Sequence, residues 1–186
     1  MTTNPRTVLA AAALAAFAAA PAANAAAIDA ARSQIKFGFT QMNVTADGEF
    51  KRFNGDISFD PAKPEAGKAT LAIDLATVDA GSSEANDLLK DKDWFDVAHF
   101  PKATFSSTSM QAVGAAKFQV TGQFSLKGKA ATLVIPFTSK AESGGTWLEG
   151  VVPISRTAYK VGEGDWADTG TVADTVQIRF KLFVPR

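Results

Sequence analysis

Phenylalanine and other apolar residues recur two positions apart along most of this chain. Thirteen of the fourteen phenylalanines lie beyond Asp29, and pairs such as Phe37/Phe39 and Ile178/Phe180 repeat the pattern. Side chains two residues apart lie on the same face of a β-strand, so each pair predicts one apolar strand face. A chain that repeats this pattern many times builds one large, aromatic-lined interior. That interior is either a packed core or a pocket.

Residues 1–27 have the features of an export signal. Arg6 precedes an Ala/Leu-rich run, and Ala23-Asn24-Ala25 forms an A-x-A cleavage site. The run is too short to span a bilayer, which needs about 20 residues. We therefore expect a signal peptide cleaved after Ala25 or after Ala27. A retained membrane anchor and an Ala-rich disordered tail are the alternatives.

The remaining residues, 28–186, form a segment of about 160 residues, the size of a single domain with a substantial core. The chain has no cysteine, which excludes disulfides and a lipoprotein acylation site. Nineteen basic residues balance nineteen acidic ones, and removal of Arg6 leaves a net charge of −1. No basic patch stands out, so nucleic acid is not an expected partner.

The segment from Ser33 to Phe59 has the pattern of a β-hairpin. Asp47-Gly48 is a turn signal between its two apolar runs. Asn54-Gly55 follows seven residues later, and we interpret it as a bulge within the second strand. The period breaks between Ser82 and Asp91, where Ser83 can cap a short helix.

Alternating runs continue to the end of the chain and give about eight strands. These runs are Leu71–Leu75, Ala103–Phe105, Phe118–Leu126, Leu133–Phe137, Thr146–Ile154 and Val176–Leu182. Turn signals at Gly128 and Gly144-Gly145 indicate hairpin connections, typical of a meandering antiparallel sheet. Such a sheet can close into a barrel that is filled by side chains or holds one small ligand. A β-sandwich fits the same spacing.

The chain offers few groups for catalysis. His99 is the only histidine and stands at the entry to a strand, without a partnered nucleophile. The acidic clusters within 91–96 and 163–168 do not have the glycine and terminal glutamate of an EF-hand at the required spacing, so we expect solvated loops there. No metal site and no enzymatic activity is predicted.

Several short motifs, in their order and spacing, resemble the YceI-like proteins over nearly the whole segment. The motifs are Ile28-Asp29, Ser33, Phe37, Gly48-x-Phe50-x-x-Phe53-x-Gly55, Phe59-Asp60, Asp93-Trp94-Phe95-Asp96, Phe100-Pro101, Phe105, Gly122 and Gly128. The resemblance implies an eight-stranded, lipocalin-like antiparallel barrel with a short helix at its mouth, exported to the periplasm. It also implies a polyisoprenoid ligand, an isoprenoid quinone or a related prenyl lipid, and no other cofactor.

On this hypothesis the apolar strand faces form a tunnel for the lipid tail. The tunnel is expected to be lined by Phe37, Phe39, Phe53, Ile57, Phe59, Leu71, Ile73, Phe105, Phe118, Phe124, Ile135 and Phe137, with Leu88, Leu89, Trp94 and Phe95 at its mouth. The family often has a His-Leu pair where this chain has Leu88-Leu89. A histidine contact to the head group is therefore not carried over.

Residues 162–168 resemble a subgroup whose relatives are fused to, or encoded beside, cytochrome b561-like membrane proteins. The resemblance thus indicates a membrane redox partner. Three functions stay open from the sequence. They are a carrier or sequestering protein for a prenyl lipid, a solid-cored barrel that acts as an interaction module for such a membrane partner, and an enzyme acting on a prenyl substrate. The enzyme is disfavoured because the inward-facing positions of the strands are apolar and offer no polar cluster for catalysis.

Overall fold

The computed structural model describes residues 25–186, which form an all-β structure with one short α-helix. The strands are β1 (Ala26–Ala27), β2 (Gln34–Gln41), β3 (Val44–Phe50), β4 (Phe53–Ser58), β5 (Lys68–Asp74), β6 (Val78–Asp79), β7 (Lys102–Gly114), β8 (Lys117–Leu126), β9 (Lys129–Glu142), β10 (Gly145–Ser155) and β11 (Thr175–Pro185), and the helix is α1 (Ser83–Lys90). The predicted signal peptide lies outside the described residues, apart from residues 25–27.

All eleven strands of the described chain belong to one curled antiparallel sheet. Their order is β1-β4-β5-β7-β8-β9-β10-β11-β2-β3-β6. From β7 to β11 each strand pairs with the next along the chain, as the predicted meander requires. A sandwich needs two facing sheets, so the single sheet decides against that alternative.

The sequence predicted eight strands, whereas the structure has eleven in residues 25–186. Two of the additional strands, β1 and β6, contain two residues each, too few to produce a visible alternation. The third arises because the return strand of the first hairpin is interrupted at Lys51-Arg52 and becomes β3 and β4. β3 pairs with β2 near one end of the sheet order, and β4 pairs with β5 near the other.

The turn of the first hairpin is not at Asp47-Gly48, as the sequence predicted. It is at Met42-Asn43, which have φ angles of 47° and 64°. Gly48 instead lies within β3 directly opposite Phe37, and a Cβ at Gly48 would lie 2.3 Å from Cζ of that ring. The glycine therefore accommodates an aromatic ring and not a reversal of the chain.

The predicted bulge at Asn54-Gly55 is also absent, since both residues pair in register with Ala72 and Leu71 of β5. The irregularity lies just before them, at the break between β3 and β4. The helix begins one residue earlier than predicted: Ser82 is the N-cap, and its Oγ accepts a hydrogen bond of 3.2 Å from the Ala85 amide.

The strand directions give the sheet two distinct ends. At one end the rings of Phe59, Phe118 and Phe137 pack together, with centroid separations of 4.9 to 5.5 Å. The other end carries α1 and the long connection 156–174 between β10 and β11. None of the helices in residues 25–186 has the length and apolar character needed to cross a membrane.

Candidate ligand-binding site

An inner cavity lies within the curl of the sheet and is lined only by strand residues. It has an open volume of about 850 Å³, its solvent-open part included, and its wall is entirely apolar. β2, β4, β5 and all strands from β7 to β11 contribute side chains to it. The site can accept hydrocarbon and offers nothing to a polar group.

An outer cavity lies at the end that carries α1. It has an open volume of about 790 Å³, again with its solvent-open part, and its wall is mostly apolar with a small polar portion. α1 contributes Leu88 and Leu89, and the connection 156–174 contributes Arg156 and Trp166. This cavity therefore combines strand, helix and loop residues.

Ile154 of β10 borders both cavities. The side chain is 8% exposed and belongs to the buried core. Because one side chain contributes to both walls, the two cavities adjoin at this point. The outer cavity lies on the α1 side of Ile154, and the inner cavity lies among the strands on its other side.

Arg156 organises the connection 156–174 from within. It is 2% exposed, and its guanidinium donates hydrogen bonds to backbone carbonyl oxygens, among them those of Val161 (2.9 Å), Gly162 (3.0 Å), Trp166 (2.9 Å) and Val172 (2.7 Å). Burial lowers the pKa of this guanidinium, and the nearby carboxylates of Asp174 and Asp168 oppose the shift. These hydrogen bonds hold separate parts of the connection to one side chain.

The Trp94-Phe95 element lines the outer cavity next to α1. The amides of Trp94 and Phe95 donate to the carbonyls of Asp91 and Leu89, each at 3.0 Å. The carbonyl of Asp93 accepts from the amides of Gly162 and Glu163, both at 2.8 Å. The two acidic segments that the sequence predicts as solvated loops therefore contact each other through the backbone and help to hold the aromatic pair.

The sequence-predicted site residues divide into three groups. Those that line the inner cavity are Ile57, Leu71, Ile73, Phe105, Phe124, Ile135 and Phe137. Those that line the outer cavity are Phe37, Phe39, Leu88, Leu89, Trp94 and Phe95. Phe53, Phe59 and Phe118 line neither cavity, and all three belong to or pack against the hydrophobic core. Contact of any of them with a ligand stays a prediction.

Other lining residues were not predicted. In the inner cavity they include Ile35, Val120, Leu133, Leu148, Val152, Ile154, Ile178, Phe180 and Leu182. Most of these share the alternation that revealed their neighbours, so the same signal could have identified them. In the outer cavity Arg156, Val161 and Val172 come from an irregular connection, where no periodic signal exists.

Residues 27–184 match the YceI-like domain family. A UPF0312 protein of Azotobacter vinelandii is 37% identical over 100 residues, which is 54% of this chain and 52% of that protein. A UPF0312 protein of Ectopseudomonas mendocina is 29% identical over 137 residues, or 70% of each chain. This chain spans about half the length of the Azotobacter vinelandii protein and of the similar UPF0312 proteins of Pseudomonas that it matches.

Solved structures share the same fold. BcnA of Burkholderia cenocepacia aligns with a TM-score of 0.83 at 43% identity, covering 84% of this chain and 99% of BcnA. A polyisoprenoid binding domain from Saccharophagus degradans, implicated in plant cell wall breakdown, aligns with a TM-score of 0.70 at 21% identity and covers 87% and 99% of the two chains. At that identity the second likeness concerns the fold alone.

Proposed function

Because the chain belongs to the YceI-like family, we propose that it binds a polyisoprenoid lipid, an isoprenoid quinone or a prenyl chain, in its adjoining cavities. The observation that carries this proposal is the wholly apolar wall of the inner cavity. A structural neighbour that is a polyisoprenoid binding domain supports it. The protein would act as a periplasmic carrier or sequestering protein and not as an enzyme.

The proposal includes closure of the sheet into a lipocalin-like barrel. β3 and β4 pair with opposite parts of the sheet order, yet only Lys51 and Arg52 separate them along the chain. Counted as one bent strand, they would bring the two ends of the sheet together and give eight long strands. A closed sheet has no free edge and encloses its inner face, as a lipid tunnel requires.

The apolar wall favours a hydrocarbon tail as the main source of affinity. Burial of one methylene contributes roughly 0.8 kcal/mol, so a five-carbon isoprene unit contributes about 2–4 kcal/mol. Loss of rigid-body freedom on association costs about 4–15 kcal/mol. A few buried units offset that cost and further units give net binding. Affinity should therefore rise with tail length.

The two cavities disfavour the alternative of a solid-cored interaction module, since such a module has no room for a tail. A cytochrome b561-like membrane protein is the partner that we propose for exchange of the lipid. This part of the proposal depends on the resemblance of residues 162–168 alone.

The experiment is to express the full chain, signal peptide included, in its own host, purify the protein from the periplasm and identify co-purifying lipid. Native mass spectrometry should show a mass increment, and organic extraction should yield a prenyl lipid in near-stoichiometric amount. Recovery of the protein without any prenyl lipid, together with no uptake of a long-chain quinone from vesicles, would contradict the proposal. Recovery of the protein only from the cytoplasm would contradict its location.

A further inference from the structure

Trp94 is a buried aromatic residue on the wall of the outer cavity. Its side chain is 8% exposed, and its ring lies 5.5 Å from that of Trp166. Backbone hydrogen bonds hold it in place on both sides, through its own amide and through the carbonyl of Asp93. The backbone that carries the indole is therefore held at the cavity by the surrounding chain.

The indole Nε1 of Trp94 is a buried donor for which residues 25–186 supply no acceptor. It is the only buried side-chain nitrogen or oxygen of those residues in this condition. Buried polar groups in native proteins are almost always hydrogen-bonded, and an indole N–H can only donate. The nitrogen has almost no accessible surface, so a small shift of the ring or of a neighbouring side chain would open it to the outer cavity, and an acceptor from outside the described chain would then complete this site.

The rest of the outer cavity also favours an acceptor. Its wall contains the Arg156 guanidinium and the side chain of Gln41 but no carboxylate. The donor groups of Arg156 are already occupied by backbone carbonyls, so the charge contributes to the local potential without offering a free hydrogen bond. One donor is free, and the nearby carboxylates of Asp168 and Asp174 offset the charge of the Arg156 guanidinium. An anionic diphosphate would need several donors to replace its hydration, whereas a neutral carbonyl needs one.

We propose that Trp94 selects the head group of the ligand: its Nε1–H donates to a neutral acceptor, such as a ring carbonyl of a prenyl quinone, held in the outer cavity. This inference rests on the proposed function, and it orients the lipid. The head group lies beside Trp94 and α1, and the tail passes Ile154 into the inner cavity. Trp94 is a specificity-determining residue in this arrangement.

The test compares delipidated wild-type protein with W94F and W166F, in equilibrium with vesicles that contain one of three ligands. These are ubiquinone-4, a tetraprenyl hydrocarbon with the same tail, and geranylgeranyl diphosphate. W94F should weaken ubiquinone-4 binding about 3–10-fold, equivalent to about 0.7–1.4 kcal/mol, and change hydrocarbon binding less than about twofold. W166F is the matched control, because it makes the same substitution in the same cavity and should change both ligands by one factor.

A measurement on the wild-type protein keeps the test independent of how well W94F folds. In a spectrum of protein with ¹⁵N-labelled tryptophan, ubiquinone-4 should move the Trp94 indole N–H signal downfield and the hydrocarbon should leave it close to its free position. Equal losses of both ligands in W94F, an unmoved indole signal, or tighter binding of the diphosphate than of the quinone would each overturn this inference alone. If the wild type bound none of the three ligands, the proposed function would fall and this inference with it.

Discussion

The two cavities differ in how the chain builds them. Every residue on the wall of the inner cavity belongs to a strand, and the wall is uniformly apolar. The outer cavity uses the ends of strands together with α1, residues 94–95 and the connection 156–174. Its wall includes a buried charge at Arg156 and an unpaired donor at Trp94.

The difference separates two requirements of lipid binding. A sheet repeats one apolar face and so makes a long, chemically uniform space that suits a hydrocarbon of repeating units. Irregular segments place individual polar groups at single points, which suits a head group that must be told apart from others. Each of the following predictions perturbs one cavity and asks whether the other is affected.

The largest effect is expected from R156M. The substitution leaves the carbonyls of the connection 156–174 buried without their donor, and an unpaired buried polar group costs about 1–3 kcal/mol. We expect the free energy of unfolding to fall by about 3–5 kcal/mol in urea titrations. R179M is the matched control, since Arg179 forms a partly exposed ion pair with Asp47, and such pairs contribute at most about 1 kcal/mol. Equal stability of the two variants would show that Arg156 does not hold the outer cavity together.

A smaller effect, confined to the inner cavity, is expected from L133W. Leu133 lines that cavity, whereas the next residue, Val134, is 51% exposed on the opposite face of β9. The indole ring of the introduced tryptophan should shorten the space for a tail and weaken binding of an eight-unit ubiquinone at least about tenfold, or about 1.4 kcal/mol. Binding of a two-unit ubiquinone should change little. The measurement is partitioning from vesicles for both tail lengths.

V134W introduces the same side chain on the solvent-facing side of β9, and this variant should bind both quinones as the wild type does. If L133W lost both tail lengths equally, or if V134W matched its loss, the inner cavity would not be the place where tail length is measured. The separation between a tail-binding and a head-binding cavity would then fail.

The strand-built walls were largely predictable from the sequence, whereas the part of the outer cavity that the connection 156–174 builds was not. Period-two alternation identified Phe105, Phe124 and Ile135 as inward residues because it depends only on neighbouring positions. The same alternation could not tell that Phe59 and Phe118 would pack into a solid cluster at one end. Depth along the cavity depends on the register between strands, which a single strand does not encode.

Arg156 shows why the connection 156–174 was not predicted as part of the site. Its guanidinium bonds to backbone carbonyls between 5 and 17 positions further along the chain. Any residue type supplies a carbonyl, so no residue pattern in 156–174 announces these contacts. Gly48 is a case in which a residue pattern was present but had another cause. Asp47-Gly48 resembles a turn, yet the glycine is there because the ring of Phe37 occupies the space of a side chain. Both features depend on tertiary contacts that override local preference.

The smallest effect concerns pH and should be confined to the outer cavity. Burial tends to raise the pKa of Asp174, but hydrogen bonds from Thr157 and Ser155 outweigh it and lower the pKa below its usual value. A carboxyl with a lowered folded-state pKa stabilises the fold above its unfolded pKa, about 3.9, and that contribution disappears as the pH falls through the folded pKa. D174N should therefore be less stable than the wild type at pH 7. The difference should shrink steadily below about pH 4.

Urea midpoints of the wild type, D174N and D56N between pH 7 and pH 3 would check this expectation. Asp56 lies on the exposed face of β4, so D56N makes the same change of charge away from both cavities. A stability difference between D174N and the wild type that did not depend on pH would mean that the carboxylate charge of Asp174 does not hold β10 to the start of β11. The amount of prenyl hydrocarbon that the protein retains over the same pH range is a second measurement. It should not depend on pH through the inner cavity itself, because no ionisable side chain lines that cavity. Loss of that hydrocarbon in step with the loss of stability at low pH would show that the two cavities open together. The cavities would then differ in the chemistry of their walls but would not unfold independently.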